Sequence, residues 1–169
     1  MSFAEIKPTE IEGNLFQMLG REWALVTVQD PDTGKVNTMT VSWGGMGVLW
    51  GKDVVTIYIR PQRYTHEFLN KTDHFTLSFY DGMKDALTIC GRKSGRDTDK
   101  IAEAGLHLTG EESYPWFEES KLVLCCKALY RSAFDPAKMA DGIDAANYSN
   151  HDYHDVYIAE IVKVMKKEG

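Results

Sequence analysis

The segment IRPQRYTHEF, residues 59–68, places two guanidinium groups, Arg60 and Arg63, just ahead of Tyr64 and the hydroxyl of Thr65. Thr65 is expected to be the N-cap of a short helix over HEFLNK. Free N–H groups at a helix start carry partial positive charge. A capping hydroxyl with two guanidinium forks around it has the chemistry of a phosphate cradle. On this segment alone the plainer reading, two solvated arginines and a capping threonine, is favoured.

A second basic stretch, CGRKSGRDTDK (90–100), supplies Arg92, Lys93, Ser94, Arg96 and Lys100. It reads as a glycine-broken loop in which Gly91 and Gly95 let backbone N–H groups face a ligand. Asp97 is the expected cap of the helix TDKIAEA, and Gly105 sits where a helix end wants positive φ. Neither GxxxxGK[ST] nor GxGxxG occurs, so nucleotide folds built on those loops are not supported. Two such loops in a chain of net charge -6 point to one shared phosphate.

Two further stretches leave alternatives open. NTMTVSWGG (37–45) is either a half-buried strand with a core tryptophan, or a strand edge whose backbone meets a flat polar ring covered by Trp43. HDYHDVY (151–157) carries His151 and His154. No metal site is expected, because the other histidines, at 66, 74 and 107, are scattered. His154 is either a ligand-side histidine at the start of a strand or a loop histidine bonded locally.

These residues need elements to hold them. Strands are expected over WALVTVQD (23–30), VNTMTVSW (36–43), VVTIYI (54–59), HFTLSFY (74–80), KLVLCCKALYRSAF (121–134) and DVYIAEIVKVM (155–165). The first two form a hairpin through PDTGK. GGMG (44–47) reads as a glycine cluster and 135–154 as polar connecting structure. A helix is expected over 83–89. Six strands with a few short helices, and no strand–helix alternation, predict a mainly β, antiparallel barrel with helices outside.

The totals agree with one domain over residues 1–169. Hydrophobic residues make up 43% and charged residues 26%, as in soluble globular proteins. The negative balance excludes a broad nucleic-acid face. No apolar run is long enough to cross a bilayer, and the N-terminus lacks a signal-peptide pattern. Cys90, Cys125 and Cys126 are odd in number and fit no CxxC or zinc spacing. They are expected to be buried small residues of a cytoplasmic protein.

Taken in order, NTMTVSWGGMGVLW, IYIRPQRYTHEFL, CGRKSGRDTDKIAEAGL and DYHDVYIAEI resemble the flavin reductase-like FMN-binding proteins, in particular the flavoredoxin-like branch, over roughly residues 11–163. The resemblance implies a split β-barrel with short peripheral helices. It implies that Met39, Thr40, Val41, Ser42 and Trp43 line the isoalloxazine. Arg60, Arg63, Tyr64 and Thr65 would hold the phosphate and ribityl chain. Ser94, Gly95, Arg96, Asp97 and Lys100 would close over that end, and His154 would stand on the nicotinamide side. It further implies a homodimer in which NADH or NADPH reduces FMN, with a flavin, oxygen or a redox protein as acceptor. Two alternatives are an electron carrier with little nicotinamide activity and a flavin-storage protein without turnover. Ala159 stands where many reductases of the wider family have glycine, and its methyl is expected to narrow the space at the last strand.

Overall fold

A computed structural model describes residues 2–169. Its strands are β1 (Phe3–Ile6), β2 (Ala24–Gln29), β3 (Val36–Val41), β4 (Gly44–Leu49), β5 (Lys52–Ile59), β6 (His74–Phe79), β7 (Leu108–Glu111), β8 (Tyr114–Phe117), β9 (Leu122–Ala133) and β10 (Asp155–Lys167). The helices are short: α1 (Leu15–Gln17), α2 (Tyr64–Leu69), α3 (Lys84–Arg92), α4 (Lys100–Glu103) and α5 (Ile143–Asn147).

Eight strands form one antiparallel sheet in the order β3-β2-β6-β9-β10-β5-β4, with β1 also paired to β10. β7 and β8 make a separate hairpin. β10 runs along β9, β5 and β1, and its register with β9 shifts at Ile158/Ala159 and again at Ile161/Lys163. Such irregularities increase strand twist and bend a long ladder.

The bend brings the sheet onto its own apolar face. Val26 and Val28 of β2, Met39 and Val41 of β3, Ile57 and Ile59 of β5, Leu77 of β6, Leu124 of β9 and Tyr157 of β10 share one buried cluster. Period-two alternation puts Leu25 on the opposite face, where it packs with Tyr80, Leu87, Cys90, Leu106 and Phe117 under α3. This is the expected split barrel. Its hydrogen-bonded path ends at β3 on one side and β4 on the other, and Ser42 and Trp43 link the two ends.

Several local expectations change. GGMG (44–47), expected as a glycine cluster, belongs to the strand Gly44–Leu49, which pairs with Lys52–Ile57. The helix after β6 does not stop at 89 but continues through Gly91 to Arg92. The reason is close packing: a Cβ at Gly91 would lie 3.2 Å from Thr40 Cβ, so the glycine lets the helix approach β3. The Thr40 hydroxyl donates to the Leu87 carbonyl across that contact. The cap of α2 is Arg63, in extended conformation, and not Thr65. The cap of α4 is Asp99, whose carboxylate accepts from the Ala102 N–H at 3.1 Å, and not Asp97. Gly105 has φ +66°, as the helix end requires.

The three cysteines are free and buried. Among the described residues, no helix is long and apolar enough to cross a membrane. Nor does any group of three or more His, Cys, Asp or Glu side chains gather as a metal site.

Candidate functional site

β3 ends at the seam of the barrel and delivers Met39 through Trp43 to it. β5 arrives from the other side. Its ladder stops at Ile59, because Pro61 has no N–H to continue it. The chain then turns, with the Arg63 N–H donating to the Arg60 carbonyl at 3.1 Å, and enters α2. The C-terminal end of α3 and the turn after it bring Gly91 through Lys100 against this point.

Two cavities meet here, one at the seam and one between the start of α2 and the segment 91–100. One, of about 190 Å³, is lined by Met39, Thr40, Val41, Ser42, Trp43, Tyr58, Arg60, Arg63 and His154. The other, of about 250 Å³, is lined by Gln62, Arg63, Tyr64, Thr65, Gly91, Arg92, Lys93, Ser94, Arg96 and Lys100. Arg63 borders both. The first has an aromatic wall, and the second has a cationic one.

Arg63 and Lys100 dominate the second cavity. Arg63 donates to the Gly91 carbonyl at 3.1 Å, and burial pulls its pKa below the usual arginine value. Lys100 is 3% exposed, and its ammonium donates to the Cys90 and Lys93 carbonyls, each at 3.0 Å. Burial, and then the nearby Arg63 charge, lower its pKa to about 8. Among the described residues, neither cation has a carboxylate partner within ion-pair distance. Burying unpaired charge is costly, typically several kcal/mol per ion. Two such cations on one cavity fit an anion there better than they fit each other.

The remaining residues of this end have distinct tasks. Thr65 Oγ1 accepts from Asn37 Nδ2 at 2.8 Å, which leaves its own proton to donate. Arg96 lies 4.8 Å from the centre of the Tyr64 ring, pairs with Glu67, and donates to the Gln62 carbonyl at 3.2 Å. Ser94 Oγ accepts from the Arg96 N–H at 3.2 Å. Asp97 is exposed and borders a neighbouring groove with Asp99, not the cationic cavity. Gly95 does not line the cavity either. A Cβ there would overlap Asn37 Oδ1 and crowd the Tyr64 ring, so only glycine lets the turn seat against β3 and α2.

Arg60 does not share the cavity of Lys100. It lines the aromatic cavity, pairs with Asp152 at 2.8 Å, donates to the Asn147 carbonyl at 3.0 Å and lies 5.0 Å from the Tyr148 ring centre. Of the two arginines that the sequence placed together, both border the aromatic cavity and only Arg63 also borders the cationic one.

His154 is 7% exposed, with its ring centre 5.4 Å from that of Trp43. Its Nδ1 is 2.9 Å from the Tyr148 hydroxyl. Burial, reinforced by the Arg60 charge, lowers its pKa to about 4, so the ring is neutral at neutral pH. Trp43 is not a core residue: it is 52% exposed at the mouth. His151 is exposed and bonds the Tyr153 hydroxyl at 3.1 Å. Ala159 is fully buried in the barrel core opposite Val55 and lines neither cavity, so its methyl does not narrow the site.

Sequence reasoning did not single out Tyr58, Asn37, Tyr148 or Asp152. Asn37 and Tyr148 had a visible signal, a polar residue inside a strand and an aromatic inside a polar connector. Asp152 carries none, because its role depends on Arg60 from a distant turn.

A family model described as the flavin reductase like domain matches residues 17–169. The chain therefore belongs to the flavin reductase-like family. Solved structures with the same fold include an FMN-binding protein from Thermus thermophilus with bound p-hydroxybenzaldehyde, at 24% identity and TM-score 0.69, over 97% of this chain and 82% of that one. A flavoredoxin from Methanosarcina acetivorans shows 20% identity and TM-score 0.68, over 87% of this chain and 69% of that one. The styrene monooxygenase flavin reductase from Pseudomonas putida S12 shows 17% identity and TM-score 0.62, over 88% and 81%. No curated protein sequence matches the chain at a significant level.

Proposed function

We propose that the chain binds FMN along the seam and passes electrons from NADH or NADPH through it to a flavin or another acceptor. The observation that carries this reading is the pair of buried cations, Arg63 and Lys100, facing one cavity without a carboxylate. That cavity joins, at Arg63, one walled by Trp43 and His154. A ligand with a phosphate at one end and a flat ring at the other suits both.

Bound there, FMN would supply the hydride-accepting ring, which is chemistry no side chain here provides. The protein's own residues do the rest. Arg63 and the Thr65 hydroxyl would hold the phosphate, with Lys100 behind them. Ser94 would close that end. Met39 through Ser42 offer strand-edge backbone groups to the ring, and Trp43 shields one side of it. Neutral His154 offers a hydrogen bond without charge. The family and the FMN-binding relative support the reading.

An electron carrier that exchanges with a redox protein is the second reading. It is favoured by the flavoredoxins among the similar structures and by the half-exposed Trp43 at the cavity mouth. Slow bleaching by nicotinamides and fast exchange with a protein donor would distinguish it.

The phosphate assignment is tested by titrating apoprotein with FMN and following flavin fluorescence. Arg63→Ala is expected to weaken binding by about 2–5 kcal/mol, the cost of removing one member of a desolvated charge pair. Riboflavin, which lacks the phosphate, should bind wild type and variant alike. Equal FMN affinities for the two proteins would remove Arg63 from the site.

A further inference from the structure

The seam holds a buried hydroxyl that the reading above does not use. Tyr148 is 5% exposed, and its hydroxyl has one side-chain hydrogen-bond partner, His154 Nδ1 at 2.9 Å. A neutral imidazole carries one donor nitrogen and one acceptor nitrogen. If Nδ1 carried the proton, the phenol proton would have no protein acceptor, and leaving a buried donor unmet is costly. The phenol proton and Nδ1 satisfy each other when the Tyr148 O–H donates to Nδ1. The proton of His154 then sits on Nε2, which has no hydrogen-bond partner among the described residues, on a ring that lines the aromatic cavity.

We propose that Tyr148 is a positioning residue that fixes His154 as the Nε2–H tautomer and so presents a neutral hydrogen-bond donor to a carbonyl or carboxamide oxygen in the aromatic cavity. The surroundings agree. Arg60, 5.0 Å from the Tyr148 ring centre, disfavours a second positive charge on His154, and the Asp152 carboxylate that would favour one is paired with Arg60 at 2.8 Å. Trp43 packs beside the imidazole. A neutral donor suits an uncharged carbonyl, and it leaves the phosphate to the other end. The identity of the oxygen rests on the flavin reading; the tautomer does not.

The test is 15N NMR of the full chain labelled at histidine, recorded near pH 7 without ligand. The His154 signals are assigned by their loss in His154→Gln. The expected result is a protonated Nε2 and an unprotonated, hydrogen-bonded Nδ1. Tyr148→Phe is expected to shift the Nδ1 resonance and mix the two tautomers. With FMN bound, the same variant should lower kcat/KM for a nicotinamide roughly five- to tenfold, the size of one lost hydrogen bond. A protonated Nδ1 in the wild type, or His154 resonances unmoved in Tyr148→Phe, would overturn the proposal. If Tyr148→Phe does not fold, the wild-type tautomer decides alone. A chain with the expected tautomer that binds no FMN would sink the flavin reading and leave this assignment standing.

Discussion

Lys100 changes charge within an accessible pH range, which makes it the most informative single residue of the cationic cavity. Its amine, buried and beside Arg63, has a pKa of about 8 against an ordinary 10.5. A depressed pKa means stability that is full above 10.5 and lost as pH falls toward 8. A phosphate dianion pulls the other way and favours the ammonium. Binding FMN should therefore take up a proton above pH 8, and affinity should fall as pH rises. Fluorescence titrations at pH 7 and pH 9.5 should show weaker binding at the higher pH, by a few-fold to about tenfold. Lys100→Met should remove most of that dependence. His154 gives a second titration. Its pKa is lowered from 6.5 to about 4, so stability present above 6.5 should be lost between 6.5 and 4. The loss is on the order of 2–3 kcal/mol. Chemical denaturation at pH 7 and pH 4.5 measures it, and His154→Gln should flatten the curve. The residue types at these positions were legible in the sequence. The inward turn of Lys100 was not, because its partners are backbone carbonyls, which every residue has.

At the scale of elements, the strands that build the barrel core were readable because apolar and β-branched residues dominate them. β4 was not, since Gly44, Gly45 and Gly47 have low strand propensity and the ladder to β5 is what orders them. The cap of α2 was misplaced for a related reason. Thr65 looks like a cap locally, but its hydroxyl is taken by Asn37, 28 residues away. The turn at 93–99 is set by Gly95, where a Cβ would overlap Asn37. Gly95→Ala should displace the turn, lower stability by about 1–3 kcal/mol and weaken FMN binding. Unchanged affinity would show that the turn does not shape the site. Residues 135–154 read as a polar connector in which only His154 is a site candidate, yet Tyr148 and Asp152 of that segment form the wall beside it. Its tie to the barrel is the Arg60–Asp152 pair, with Gln62 Nε2 donating to Asp152 at 2.7 Å. Asp152→Asn should loosen this wall and raise hydrogen exchange at Tyr148–His154, with little change at α2.

The sheet is a barrel opened between β3 and β4; the aromatic cavity lies at that opening and meets the cationic cavity at Arg63. The fold class and the order of the site segments were therefore legible before any coordinates. That Arg63 reaches both cavities and Arg60 only one was not, because it depends on how the turn after β5 meets α3 and the segment that follows it. The exposed apolar residues add a feature of the whole surface. Phe16 is 88% exposed, Val48 74% and Trp50 62%, and Val48 borders a cavity of about 300 Å³ with Leu15, Met46 and Val54. Exposed apolar side chains suit a partner, and we propose a second copy of the chain. Gel filtration with light scattering should give a dimer, and Trp50→Lys with Val48→Lys should give a monomer. A monomeric wild type would contradict this.

The first measurement is a visible spectrum of the chain reconstituted with FMN and freed of excess, followed by NADH or NADPH without oxygen. The expected result is a retained flavin spectrum that bleaches within seconds. A retained spectrum that bleaches only with dithionite would move the account to the electron-carrier reading. A colourless protein after reconstitution would contradict flavin binding at the Arg63–Lys100 cavity, and with it the central claim.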